Sequence, residues 1–397
     1  MNVNLERLGK HWSTGLRTVH IRGVDIATYT LGQPMDDAFD RLYAAFFGKG
    51  LQSVDDEFRV AAFQYFDSYI NNNVHSPAAH DHYFICLTPI WNALLASGRL
   101  GMAERLWELA FEPVQQWEQA HPGELIDKGT LCYFWGGTAL LSGNLDRGYL
   151  LIHQSVEEDS RTSRQQNPLT PSYAIVSLDD EKPDQAFRHW VIEQATFLEG
   201  FVRDYATTHH RSLTIDDVKR KFLKQPPNYD AIFLLTFTVA RLHGISGLPD
   251  QAKRNPFAAQ IQLNLLFDLL LVIEVAIRNV NPVKVKKGKN GKISNLMFYD
   301  QALFLLRSAG HPHEKNVGDV RHQFENNFQA AIQDALDGTL KANSVVLDRL
   351  QCDVHLSYEL RNRGAHEIET VPAIWNNFDR VQRAVFRSFC ATVDFLY

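Results

Sequence analysis

Three residues near the C-terminal end of the sequence combine side chains suited to acid–base chemistry on a phosphate. Arg361, Asn362 and His366 lie in the run LSYELRNRGAHEIE, residues 356–369. Histidine titrates near neutral pH and transfers protons, and the arginine guanidinium binds phosphate oxygens through two parallel hydrogen bonds. Cleavage of RNA through its 2′-hydroxyl needs a proton acceptor, a proton donor for the leaving 5′-oxygen and cations near the phosphorus oxygens. One histidine and one arginine supply half of these groups, and two copies of the run facing each other would supply all of them.

The run that carries these residues is expected to be helical. Tyr358, Asn362 and His366 recur at every fourth position and share one face of a regular helix, and Arg361 lies one position away from that line. Gly364 is a local weak point in such a helix. Because a guanidinium stands at the end of a long side chain, we expect Arg361 to reach the same face as the imidazole.

This spacing resembles the motif of the HEPN superfamily (higher eukaryotes and prokaryotes nucleotide-binding domains). In that motif an arginine, usually followed by a polar residue, precedes a histidine with four to six residues between them. Arg361 and His366 fit this pattern with four residues between, and Asn362 is the polar residue. The resemblance implies a helical C-terminal domain and a motif at a homodimer interface to which both subunits contribute. It also implies ribonuclease activity, commonly in defence against phage or as a toxin. In HEPN domains an acidic residue on an early helix often contacts the motif arginine, and the resemblance implies that Glu274 has this role for Arg361. The alternative is that Glu274 pairs locally with Arg278.

Helical periodicity through most of the chain predicts an all-α protein in two parts. A repeat-like helical region over residues 1–250 would sense a trigger or bind a regulator, and a HEPN-type helical bundle would follow over 251–397. The boundary is placed in residues 244–256, which contain two glycines and two prolines. Two exceptions to the helical pattern are expected, a small hairpin or a strand within residues 18–29 and a short strand at 173–178.

Two N-terminal segments resemble each other and a tetratricopeptide-type solenoid. Residues 92–113 and 138–159 each give an apolar helix end, a turn at Gly98 or Gly143, and a second amphipathic helix. The turn glycines are 45 residues apart, which is longer than the period of about 34 in that family. Irregular helical hairpins, which any all-helical protein contains, are the alternative.

A basic segment without acidic residues, VKVKKGKNGKIS, lies between the predicted early helix and the motif. Its sequence suits a flexible loop or a hairpin tip that contacts RNA phosphates, although a solvated surface loop has the same composition. The candidate RNA-binding residues are Lys284, Lys286, Lys287, Lys289 and Lys292.

Composition and missing motifs narrow the functional classes. A net charge of −6 argues against a generally basic nucleic-acid-binding surface. No nucleophile elbow, zinc-protease helix or dinucleotide fingerprint occurs. His75, His80 and His82, with Asp81, have the residue types of a metal site, but histidines in a loop before a helix are more often surface residues, and we expect neither a metal nor a cofactor. The absence of a signal-peptide pattern and the polar residues within 261–280 predict a cytoplasmic protein that does not span a membrane.

The sequence therefore favours a metal-independent endoribonuclease of HEPN type, active as a homodimer. His366 would transfer protons, Arg361 would stabilise the phosphate, Asn362 would position it and Glu274 would orient Arg361. Two alternatives stay open. One is a non-catalytic interaction module, in which Glu359 and Glu367 pair with Arg363 at helical spacing. The other is a nucleotide-binding protein with a HEPN-like dimerisation domain.

Overall fold

The computed structural model describes residues 17–21, 24–28, 59–60, 62–64, 66–67, 80, 83–85, 87–162, 170–253, 255–281, 283, 285–287, 293–295, 298–311, 315–368 and 371–397. These residues are almost entirely helical, which confirms the predicted all-α class. They form two compact units, Met1–Tyr173 and Ala174–Tyr397.

In the part of the first unit that the structure describes, a β-hairpin is followed by four longer helices. The hairpin pairs β1 (Arg17–Ile21) with β2 (Val24–Thr28) in antiparallel register, so the hairpin expected within residues 18–29 is confirmed. The helices are α1 (Thr88–Ala96), α2 (Leu100–Ala120), α3 (Gly129–Leu141) and α4 (Leu145–Thr162).

Both predicted helical turns are present in this unit. Gly98 connects α1 to α2 with φ of 72°, and Gly143 connects α3 to α4 with φ of 82°. This left-handed conformation favours glycine because a Cβ atom would clash with the backbone. The two helical hairpins therefore exist as predicted, whereas their arrangement as a repeat stays a prediction.

Aromatic side chains fill the core of the first unit. The Trp107 ring stacks on Phe134 at a centroid distance of 5.4 Å, and the Trp91 ring meets Phe134 edge-on at 4.8 Å. The Trp91 indole N–H, fully buried, donates to Thr138 Oγ1 at 2.8 Å, which satisfies its hydrogen-bonding requirement. These contacts join α1, α2 and α3.

The second unit is built around two long helices. Its first helices are α5 (Pro171–Val176), which spans the division between the units, α6 (Gln185–Thr208), α7 (Ile215–Val218), α8 (Tyr229–Ser246), α9 (Asp250–Lys253) and α10 (Pro256–Val280). A π-helical turn, Lys219–Leu223, and a 3-10 turn, Pro226–Asn228, join α7 to α8. Then follow β3 (Val285–Lys287), β4 (Ile293–Asn295), α11 (Phe298–Ser308), α12 (Lys315–Asn326), α13 (Phe328–Asp337), β5 (Lys341–Ala342), β6 (Val345–Val346), α14 (Arg349–Ile368), α15 (Pro372–Asn376) and α16 (Phe378–Leu396).

The apolar faces of α10 and α16 form the centre of this unit. On α10, Asn255 caps the start by accepting from the Ala258 N–H at 2.8 Å, and Pro256 occupies the first helical position. On α16, a stripe of fully buried side chains faces the core: Val381, Val385, Phe389 and Val393. Their spacing of four residues is typical of core or dimer packing, and within the chain the stripe is core.

Three helices of the second unit are also tied together by buried charges. Arg387 on α16 donates to both carboxylate oxygens of the fully buried Asp353 on α14, at 2.7 and 2.8 Å. It also donates to Asp204 on α6 at 2.9 Å. Asp353 has two further partners within 3.2 Å, Arg349 and His209. Each buried charge is thus compensated by a partner of opposite sign.

One prediction about local structure is wrong. The strand expected at 173–178 is absent: residues 173–176 belong to helix α5 and residues 177–178 to the turn after it, because a short buried apolar run fits either type of element and Pro171 starts a helical turn here. The functional division expected near residue 250 stays a prediction, whereas the compact units of the fold divide between Tyr173 and Ala174. The physical reason is that helices before residue 250 complete the second core; the Phe201 ring, for example, stacks on Phe386 at 3.8 Å.

Helix α10 is long and apolar enough to cross a membrane by length and composition alone. Half of its most apolar window is buried inside the protein, which is typical of the core helix of a globular domain. The helix therefore gives weak evidence of a membrane span.

Candidate functional site

The clearest cluster of predicted site residues lies where α14 crosses the second half of α10. Arg361 Nε, on α14, donates to Glu274 Oε2, on α10, at 3.2 Å. Arg278, one turn further along α10, donates to the other carboxylate oxygen, Glu274 Oε1. The two pairings that the sequence left open are thus both present, and one carboxylate holds two guanidinium groups.

Burial differs between the partners in a way that suits binding of an anion. The Glu274 side chain is 13 % exposed and the Arg361 side chain 34 % exposed. The ion pair with Glu274 occupies one N–H of Arg361, and no second ion pair or hydrogen bond of this guanidinium exists in the described part of the chain. Since a guanidinium carries five N–H donors, its terminal nitrogens can still bind two oxygens of a phosphate.

The helix is continuous through the motif. α14 runs from Arg349 to Ile368, so the predicted weak point at Gly364 does not end it. Five residues at about 100° each separate Arg361 from His366 by roughly 140° around the helix axis. Asn362 is exposed, and its angular position around the helix axis lies between those of Arg361 and His366. The side chains of residues 364–368, including His366, lie outside the part of the chain that the structure describes.

The other arginine of the motif has a structural role. Arg363 donates to the Phe324 carbonyl at 2.8 Å and lies over the Phe328 ring at 4.2 Å. It therefore fixes the junction of α12 and α13 to α14 through a hydrogen bond and a cation–π contact. Of the two helical pairs considered for Arg363, the one with Glu367 involves a side chain outside the described residues, and Glu359 Oε1 is buried with no hydrogen-bond partner among the described residues.

Glu359 is a buried carboxyl close to the motif that the sequence did not single out as a site residue. Its side chain is 5 % exposed, and burial raises its pKa to about 7, against the opposing effect of Arg321 and Arg363 and with some help from Glu325. Spacing within α14 gives no signal for it, because Arg321 and Glu325, which influence its pKa, lie on α12.

The lysine segment forms the predicted hairpin. β3 and β4 pair antiparallel, with Lys286 opposite Ser294 and Lys287 opposite Ile293. The hairpin begins five residues after the end of α10. Lys284, Lys289 and Lys292 lie outside the described residues.

The histidines considered as metal ligands do not form a described cluster. His80 is buried, and its Nδ1 accepts the Asp127 N–H at 3.0 Å, which is a structural contact. His75 and His82 lie outside the described residues. Within the described ranges, no group of three metal-ligating side chains lies together.

Comparisons with known proteins give no identification. No known protein family, no curated protein and no solved structure matches this chain.

Proposed function

We propose that the protein is an endoribonuclease of HEPN type that acts as a homodimer and needs no metal ion for cleavage. The observation that carries this proposal is the contact of the motif arginine, Arg361, with a carboxylate on an earlier helix, Glu274. The contact supports it because a guanidinium held at one N–H keeps a fixed direction toward a phosphate.

The proposed reaction is attack of the ribose 2′-oxygen on the adjacent phosphorus. The bond from phosphorus to the 5′-oxygen breaks, which leaves a 2′,3′-cyclic phosphate and a free 5′-hydroxyl. His366 handles the two proton transfers, one from the 2′-hydroxyl and one to the leaving oxygen, and the copies of this residue in the two subunits can divide these roles. Arg361 stabilises the charge that develops on the non-bridging oxygens, and Asn362 positions the phosphate.

The remaining parts of the proposal concern binding and biological role. Lysines of the β3–β4 hairpin contact the RNA backbone by charge, which gives binding that weakens as salt increases. The protein acts in the cytoplasm in a defence or toxin role, and the helical region over residues 1–250 senses the trigger or binds a regulator. A chain with a net charge of −6 needs such a local basic segment to hold RNA.

The test is cleavage of RNA in EDTA by the purified dimer and by two variants, Arg361→Ala and His366→Ala. We expect each variant to lose at least about a hundredfold in rate, because each removes a group that acts in the transition state. The wild-type product should end in a cyclic phosphate.

A matched control is Arg278→Ala, which removes an exposed guanidinium bound to the same carboxylate and leaves the Arg361 contact. This variant should cleave at close to the wild-type rate. Equal activity of the wild-type protein and both motif variants would contradict the assignment. Capture of a protein partner with RNA left intact would favour the interaction module instead.

A further inference from the structure

A cleft at the opposite end of α10 from Glu274 has the size of a ligand site. Its volume is about 700 Å³, within the range of roughly 300–1,000 Å³ that is common for small-molecule sites. One side is formed by the end of α9 and the first turns of α10, and the other by α15 and the start of α16. The lining residues are Lys253, Ala259, Gln262, Trp375, Asn376, Asn377, Phe378, Asp379 and Arg380.

Two aromatic rings contribute an apolar surface to the cleft. The Trp375 and Phe378 rings are nearly parallel, with an interplanar angle of 9° and centroids 5.8 Å apart. Both side chains are half-buried, although the stripe that continues from them along α16 is fully buried. Aromatic side chains that stay accessible in a cleft are a favourable stacking surface for a nucleobase.

The polar lining complements the other parts of a nucleotide. The amides of Gln262 and Asn376 carry both donors and acceptors, as hydrogen bonding to a base edge requires. Lys253 and Arg380 provide two positive charges, and Arg380 is already held in place by the Leu336 carbonyl and Asp337, each at 2.7 Å. Asp379 and the Asp337 carboxylate bound to Arg380 bring two negative charges. Two cations beside two carboxylates suit a ligand with a single phosphate better than one with several.

We propose that this cleft binds a nucleotide, with its base on the Trp375–Phe378 surface and its phosphate near Lys253 and Arg380. The site differs from the Arg361 cluster, because Gln262 and Glu274 are twelve residues apart on α10, which is about 18 Å along a helix. The same chemistry fits a free nucleotide or one nucleotide of an RNA chain. Binding here does not depend on the proposed cleavage.

The experiment measures binding of AMP and of hexa-adenylate by calorimetry. All proteins carry Arg361→Ala, so that the oligonucleotide stays intact. Two cleft variants, Trp375→Leu and Lys253→Gln, remove the stacking surface and one cation separately. The control is Phe257→Leu, since Phe257 is a highly exposed aromatic side chain on the same first turn of α10 and does not line the cleft. Thermal unfolding of each variant shows that it is folded.

We expect one-to-one binding that weakens at least about tenfold in each cleft variant and stays unchanged in the control. Binding of AMP identifies a free nucleotide as the ligand, and binding of hexa-adenylate alone identifies a subsite for RNA. Absence of binding by both probes, or binding that both cleft variants retain, overturns the proposal. A cleavage assay on the wild-type protein is read separately, so failure of the cleft leaves the ribonuclease proposal standing and the reverse is also true.

Discussion

At the scale of single residues, the buried Glu359 carboxyl has a defined effect on stability. Its pKa in the folded protein is about 7, because burial disfavours the charged form, and its ordinary value in an unfolded chain is about 4.3. Between these two values the folded state binds the proton and the unfolded state does not. The contribution of Glu359 to the free energy of unfolding therefore falls as the pH rises through this window, and it stays low above the window.

Glu359→Gln should remove this loss. A glutamine keeps the size of the side chain and stays neutral. The free energy of unfolding of the variant minus that of the wild type should therefore be roughly 1–3 kcal/mol larger at pH 8 than at pH 5. Urea unfolding of both proteins at the two pH values measures it. The comparison must be between proteins, because the buried His355, whose pKa burial lowers to about 4, shifts stability in the opposite direction over pH 4–6.5. A difference that is the same at both pH values would show that Glu359 does not titrate there.

The residue scale also shows what a sequence can predict of the site. The contact between Glu274 and Arg361 was expected from the resemblance, and the pair of Glu274 with Arg278 from helical spacing; both are present. The environment of Glu359 and the contact of Arg363 with Phe324 depend on α12 and α13, which are distant in sequence. Spacing within one helix carries no information about a partner on another helix, so these features could not be predicted.

At the scale of elements, α3 and α4 approach each other through two glycines. A Cβ atom at Gly148 would lie 2.5 Å from Leu140 Cδ2 and 3.1 Å from the Gly136 carbonyl oxygen. Leu140 is buried and has little room to move. The close packing of this hairpin therefore depends on the missing side chain.

Gly148→Ala should destabilise the first unit in spite of the higher helix propensity of alanine. We expect a net loss of about 1–2 kcal/mol, because overpacking costs roughly 1–3 kcal/mol and the propensity gain is at most about 1. Gly101→Ala is the matched control, since a Cβ there meets nothing within 4 Å. Chemical denaturation followed by tryptophan fluorescence measures both. A stabilised Gly148→Ala protein would mean that Leu140 moves aside at little cost.

The packing of α6, α14 and α16 depends on the buried ion pairs around Asp353. Arg387→Met replaces the apolar part of the arginine side chain but removes its guanidinium. Asp353 then has only Arg349 and His209 as partners among the residues that the structure describes. We expect a loss of about 3 kcal/mol or more in the free energy of unfolding, because a buried carboxylate loses its bidentate partner. The control is Arg383→Ala, an arginine on the same helix that is 51 % exposed and contacts Asp204 at 3.5 Å; it should cost less than about 1 kcal/mol. Equal losses in urea unfolding would show that Arg387 does not carry the network.

Element type was predictable from the sequence where helices are long and periodic, and not elsewhere. The turns at Gly98 and Gly143 and the start of α10 have specific local signals, namely glycine after an apolar run and an Asn-Pro cap. At 173–178 a buried apolar run has no distinguishing period, and the strand prediction was wrong. The division between the units also has no local signal, because it depends on which helices share a core.

At the scale of the whole molecule, the positions of Arg361 and His366 on their helix explain why the proposed active site requires two copies of the chain. Arg361 and His366 start from positions roughly 140° apart on one continuous helix. A regular helix therefore does not present both residues on one face, whereas a twofold axis can place Arg361 of one copy near His366 of the other. A single subunit would then hold only part of each site.

This requirement predicts the activity of a heterodimer between the wild-type chain and a chain with both Arg361→Ala and His366→Ala. With two different affinity tags, the heterodimer can be purified away from both homodimers and assayed for RNA cleavage. We expect almost no activity, because the altered copy withholds its residues from a shared site. In unseparated equal mixtures the rate should fall to about a quarter of that of the wild type, the fraction of wild-type pairs, and not to about half.

The control partner is the Arg278→Ala chain, whose heterodimer with the wild type should keep nearly full activity because the contact of Glu274 with Arg361 stays in both subunits. Half of the wild-type activity in the heterodimer with the double variant would mean that each subunit has a complete site, with Arg361 reaching His366 within its own helix. Failure to recover any heterodimer, from chains that remain folded, would contradict the dimer itself and confine the chemistry to one copy.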